Sequence, residues 1–215
     1  MSAFFSYLER RWEHILELAL AHVTVVSIAL VAATAIGVGA GLAVYRHDRA
    51  ANLSLAVAGT FLTIPSFALF GLLVPVLGLG YAPTVVALVM YALLPILRNT
   101  VAGLRSVDPA VVESARGMGM GAGRRLVRVE LPLAWPVIIA GLRVATVLIV
   151  GIAAIGAAVN GPGLGDDIFA GLARIGSPTA INLVLGGILG VLAIAVLFDG
   201  FYLLLSRLTT SRGLR

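Results

Sequence analysis

Cysteine and lysine are both missing from this 215-residue chain. Without cysteine, disulfides and thiolate metal sites are excluded, though no redox compartment follows from that. Without lysine, the usual nucleotide-binding P-loop is excluded too, because that loop needs a lysine to reach the phosphates. Charge of either sign is scarce, at 12% of residues, and all fifteen cations are arginines. Deep inside the apolar runs the only carboxylate is Asp199, which argues against a stand-alone secondary transporter, since ion coupling uses carboxylates at mid-depth. His22 is the one histidine within an apolar run and has no histidine or carboxylate one helical turn on. A metal site is therefore not expected, a serine–histidine hydrolase has nothing to build on, and packing is the simpler role for His22.

Apolar length is abundant. Hydrophobic residues make up 60% of the chain, and the mean hydropathy is +1.07. A spanning helix needs about 20 mostly apolar residues, and five stretches qualify: 15–44, 53–79, 82–103, 133–159 and 180–206. The expectation is an all-α integral membrane protein with one transmembrane domain over 15–206. Residues 1–14 lack the pattern of a cleaved signal and read as an extracytoplasmic interfacial segment. Residues 207–215 read as a cytoplasmic tail. No internal repeat and no low-complexity tract is visible.

Arginine sets the expected orientation, because basic loops stay on the cytoplasmic side. With five spans, eleven arginines fall on one side: 46, 49, 98, 105, 116, 124, 125, 128, 207, 212 and 215. Only Arg10, Arg11 and Arg174 fall on the other. The N-terminus is then outside and the C-terminus inside. Arg143 is left within the fourth span, ten residues past Leu133, or about 15 Å along a helix. Asp199 lies eight residues before Arg207, about 12 Å from the same end. The matching depths make an intramembrane ion pair between them a candidate, beside the simpler reading that each reaches an interface or a backbone group.

Prolines 65, 75 and 95 fall inside spans, so bent helices around a cavity are expected. The Thr63–Ser66 stretch, with Pro65 freeing a carbonyl, is a candidate lining of a transport path. Gly37 with Gly41, and Gly186 with Gly190, have the spacing that lets helices approach closely, and packing is the favoured reading.

The stretch "VDPAVVESARGMGMGAGRRLVRVELPLAWP" gathers charge and glycine into one loop, residues 104–132. Asp108 before Pro109 is a helix start. A short helix follows, with Val111, Val112, Ala115 and Met118 expected toward one side, and it stops at Gly117, Gly119, Gly121 and Gly123. A second basic helix comes next, and Pro132 is expected to reset the chain before the fourth span. The loop reads as a folded helical hairpin: a basic anchor for anionic headgroups or a helix that fits a partner's groove.

Glu113, Ser114, Ala115, Gly119, Val129, Leu131 and Pro132 are spaced as in the EAA loop of binding-protein-dependent ABC importer permeases, which this region resembles. Ser114 replaces the first alanine of that motif and Val129 its isoleucine. "LTIPSFALFGLLVPVLGLG", "ALLPILRNTVAGLRSVDPAVVESARGMGM", "VELPLAWPVIIAGLRVATV" and "GPGLGDDIFAGL" extend the resemblance over about 55–172, toward permeases for glycine betaine, carnitine or choline. The resemblance implies a methionine-importer-like permease fold with cytoplasmic coupling helices, in the bacterial inner membrane. It implies two ATPase subunits that carry ATP and magnesium, a second permease subunit, alike or a sister chain, and an extracytoplasmic solute-binding protein. The coupling residues would include Arg116 with the motif positions, and Asn160, Gly161 and Gly163 would lie near an outer gate. For that last loop, a Gly-Pro turn leading to a short amphipathic helix is the favoured plain reading. No cofactor on this chain, no catalytic residue and no nucleic-acid partner are expected. Aromatic residues are only 7% of the chain, and no cage for a quaternary ammonium is evident within the spans. Substrate choice would then rest mostly on the binding protein, and importers of an amino acid, a sulfonate or a thiol-betaine stay open as alternatives.

Overall fold

The computed structural model describes residues 2–177 and 179–210. The tail arginines Arg212 and Arg215 lie outside the described residues. Within them the chain is helical and has no strand.

Helix α1 runs Ser2–Val44, 43 residues, without a break. At 1.5 Å per residue it is about 65 Å long, roughly twice the thickness of a bilayer's hydrocarbon core. Residues 2–14 form the first turns of α1. No glycine or proline in that stretch breaks the helix.

The second apolar run is not one straight span. It splits into α2, Asp48–Thr63, and α3, Ser66–Leu77, bent by 97°. Pro65 has no N–H to continue α2, and it holds the preceding Ile64 in extended backbone, ψ 125°. The carbonyls around the break find partners nearby. Thr63 Oγ1 donates to Thr60 O at 2.8 Å, Ile64 N to Phe61 O at 3.3 Å and Tyr91 Oη to Ile64 O at 2.7 Å. Such satisfaction is what permits irregular backbone at membrane depth.

Helix α4, Tyr81–Arg105, is the central post. It packs against α1 on one side and against α7, Leu131–Ile155, on the other. Small residues permit both approaches. A Cβ on Gly37 or Gly41 of α1 would come within 2.8 Å of Ile96 Cγ2 or 2.5 Å of Thr100 Cγ2. Gly186 and Gly190 belong to α9, Ala180–Thr209, and sit against Tyr7 and Leu164.

Three polar contacts define one face of the bundle. Arg105 Nε donates to Tyr45 O at 2.8 Å, Arg105 pairs with Asp48 at 2.9 Å, and Tyr45 Oη donates to Glu130 at 2.6 Å. The end of α1, the start of α2, the end of α4 and the start of α7 therefore lie together. At the opposite face Gly80 N donates to Val159 O at 2.8 Å, joining the start of α4 to the end of α7. The bent α2–α3 pair carries the chain between these faces and counts as one crossing. With α1, α4, α7 and α9 that makes five candidate crossings among the described residues. Trp135 Nε1 donates to Thr209 Oγ1 at 2.9 Å, which returns α9 to the first face.

Candidate functional site

The arginine-rich face carries the hairpin. Asp108 accepts from Ala110 N at 2.8 Å, and Pro109 opens α5, Pro109–Gly117. Ala115 is buried and Val112 partly so, whereas Val111 is exposed and Met118 is 71% exposed. At 100° per residue the four do fall within one arc of about 120°, but the bundle covers only its Val112–Ala115 part and leaves Val111 and Met118 exposed. Glu113, Ser114 and Arg116 are also exposed, so α5 presents a polar outer surface over one buried alanine.

The end of α5 is a Schellman cap. Met120 N donates to Ala115 O at 3.1 Å and Gly119 N to Arg116 O at 2.9 Å, with Gly119 at φ +82°. Nothing lies within 4 Å of where a Gly119 Cβ would stand, so conformation and not space requires glycine. Gly119→Val is expected to destabilise the cap by about 1–2 kcal/mol, the cost of a left-handed L-residue. The measurement is limited proteolysis of the membrane-inserted chain: cleavage near 117–121 should rise at least several-fold while the spans stay protected.

Beyond Gly121 the expected second helical segment follows, but the expected reset does not. A single turn, α6, Ala122–Arg125, passes through a π turn, Leu126–Glu130, straight into α7. Leu131 N donates to Leu126 O, five residues back. The widened turn carries the helix past Pro132, which has no N–H to offer. Val129 and Leu131 are partly buried there, and Pro132 is exposed.

Beneath the hairpin lies a polar cluster that motif reading missed. Glu130, 3% exposed, accepts from Tyr45 Oη at 2.6 Å, Arg125 Nε at 2.9 Å and Arg46 Nη2 at 3.1 Å. Arg125 is itself buried, at 6% exposure. Burial, and next the hydrogen bond to Glu130, pushes the Tyr45 hydroxyl up to about 12, so it stays a donor. The cluster ties the end of α1 to the hairpin and to α7. A cleft of about 430 Å³ opens above it, lined by Arg46, Arg105, Val112, Glu113, Arg116 and Glu130. One signal could have found it: Glu130 is the only acid between Glu113 and Asp166, set among arginines immediately before a span.

Residues 33–211 match the family described as binding-protein-dependent transport system inner membrane component. The chain belongs to this family. It is 36% identical to the choline transport system permease protein OpuBB of Bacillus subtilis, over 90% of this chain and 88% of that one. It is 38% identical to the osmoprotectant import permease protein OsmW of Salmonella typhimurium, over 90% and 91%. The fold is that of a chain of the inward-facing MetNI methionine ABC transporter, with a TM-score of 0.80 at 20% identity, covering 92% of this chain and 96% of that one. The protein is thus an all-α permease component of an ABC importer, and the hairpin lies on its arginine-rich face.

The remaining candidates fall into three other places. Arg143 and Asp199 meet between α7 and α9: Nη2 donates to Oδ2 at 2.7 Å and Nε to Oδ1. Thr63, Pro65 and Ser66 form the bend between α2 and α3, with Thr63 and Pro65 exposed. Asn160, at φ +59°, Gly161 and Gly163 form a turn at the opposite face that leads into α8, Gly165–Leu172. A Cβ on Gly161 would stand 2.3 Å from Thr84 Oγ1, and one on Gly163 2.7 Å from His22 Nδ1, so this turn is packed against α4 and α1. His22 Nε2 lies 3.1 Å from Val150 O, while Nδ1 has no partner among the described residues. Buried Asp167 anchors α8 to α1 by accepting from Tyr7 Oη at 3.2 Å and facing Arg11 and His14, each at 3.4 Å.

Proposed function

We propose that this chain is the membrane-spanning subunit of an ABC importer for a quaternary-amine osmoprotectant: glycine betaine, choline or carnitine. The observation that carries the reading is the capped, polar-faced α5 seated on the Glu130 cluster. That arrangement joins a docking surface rigidly to α1, α4 and α7. Two ATPase subunits would bind ATP and magnesium, since this chain has no lysine for a P-loop. A second permease subunit would complete the path, and an extracytoplasmic binding protein would deliver the solute. The N-terminus lies outside and the C-terminus in the cytoplasm, in line with the arginine bias. Closure of the ATPases would move α5 as a rigid lever, and the spans fixed to it would tilt to open the path outward. The choline and osmoprotectant names of relatives at 36% and 38% identity support the solute class.

Co-purification tests the reading. An ATPase bearing a P-loop is expected to come down with the full chain and to be lost when residues 109–121 are replaced by a Gly-Ser linker. Glu113→Lys reverses a charge on the exposed face of α5. It should leave insertion unchanged and lower transport-linked ATP hydrolysis by roughly tenfold, a docking loss of about 1.4 kcal/mol. An ATPase that stays bound to the linker variant would overturn the assignment of the hairpin.

A further inference from the structure

The Arg143–Asp199 pair has an exposure that its depth does not explain. Their side chains are 43% and 33% exposed, although both lie near the middle of the spans. Charged groups at that depth are costly in hydrocarbon and face a bundle interior or a water-filled cavity. The surroundings are polar on one side only. Thr146 Oγ1 and Tyr202 Oη lie 2.9 Å apart beside the pair. A cleft of about 520 Å³ between α7 and α9 is lined by Arg143, Val147, Tyr202 and Ser206. On its opposite side α9 shows the surface expected of lipid contact, as at Leu197 and Leu204.

The pairing engages one edge of the guanidinium, Nε and Nη2. The other edge, Nη1 with the second proton of Nη2, has no partner among the described residues. A guanidinium binds a carboxylate through two parallel N–H donors, so that free edge is a carboxylate receptor already oriented by Asp199. The Asp199 carboxylate in turn supplies negative charge within a few ångströms, where a solute's cationic end would lie. The two charges together complement a small zwitterion.

We propose that the α7–α9 cleft faces the transport path and that Arg143, held by Asp199, receives the carboxylate of a zwitterionic quaternary amine there. This rests on the transport reading above and narrows it: glycine betaine and carnitine have the carboxylate, choline has none.

Two measurements test it on the complex assembled with its ATPase and binding protein. The first does not depend on the solute. Because the chain has no cysteine, a single Val147→Cys, read on this chain after the subunits are separated, reports the cleft alone, with Leu197→Cys, on the opposite side of α9 from Asp199, as its lipid-side comparison. A membrane-impermeant cationic methanethiosulfonate should label position 147 and not 197. If 147 is no more reactive than 197, the cleft is dry and the proposal fails. The second measurement is uptake into proteoliposomes by Arg143→Lys. Lysine keeps the charge and the pair with Asp199 but has no second edge. Glycine betaine uptake should fall by about tenfold, the value of one charge-assisted bond pair, with choline uptake within about twofold of wild type. Equal loss of both solutes, or of neither, overturns the site. A wild-type complex that carries choline but no zwitterion does the same, and one that carries none of them overturns the functional reading as well.

Discussion

Gly141→Leu is expected to abolish assembly of the bundle, while Gly151→Leu on the same helix is tolerated. A Cβ at position 141 would stand 2.4 Å from Asn99 Cβ and 2.9 Å from Pro95 O. The second of these is backbone, and Cβ has no rotamer by which to avoid it. Helices α4 and α7 would have to part, at a cost beyond the usual 1–3 kcal/mol of overpacking, since close backbone approach is what holds helices together in lipid. A Cβ at Gly151 meets nothing within 4 Å. Folded yield after detergent extraction, read as a monodisperse peak in gel filtration, should drop to background for the first variant and match wild type for the second. If the two behaved alike, the α4–α7 packing described above would be wrong.

The second large effect is expected at Glu130. Glu130→Ala leaves the buried guanidinium of Arg125 without its carboxylate, and breaking a buried pair from one side typically costs about 3–5 kcal/mol. The lower end applies here, because Arg46, the other guanidinium on this carboxylate, has a side chain 41% exposed and keeps access to water. Tyr45→Phe removes one hydrogen bond to a charged acceptor, about 1.5 kcal/mol. Arg46→Ala removes a half-exposed partner, at most about 1 kcal/mol. The apparent unfolding temperature in detergent should therefore fall in the order Glu130→Ala, Tyr45→Phe, Arg46→Ala. A reversed order would place the weight of the cluster on its solvent side. Glu130→Ala should also loosen the hairpin from α1 and α7, so that protease sensitivity near 117–121 rises with it.

The two effects differ in how far the sequence foretold them. Small-residue spacing at Gly37 and Gly41 is visible in the chain, and both glycines do sit against α4. Gly141 has no glycine partner at that spacing, and its importance comes from Asn99 and Pro95 on another helix. The hairpin's start was legible because Asp108-Pro109 is a local cap signal, and its end because Gly119 sits where a helix must turn left-handed. The expected reset at Pro132 failed because a π turn, a change in hydrogen-bond register, leaves no mark in residue pattern. The 97° break at Pro65 was foreshadowed by the proline, but the chain alone did not show that Tyr91 would satisfy the carbonyl there.

Arginine bias, span count and the loop motif are properties of length, charge and spacing along the chain, and local physics determines them: a bilayer has one thickness, and a helix one rise per residue. The Glu130 cluster and the contact of Arg143 with Asp199 were decided by tertiary structure alone. Helical rise yields depth but not the facing of a side chain around the axis, and facing depends on which neighbour packs close enough to exclude the alternatives.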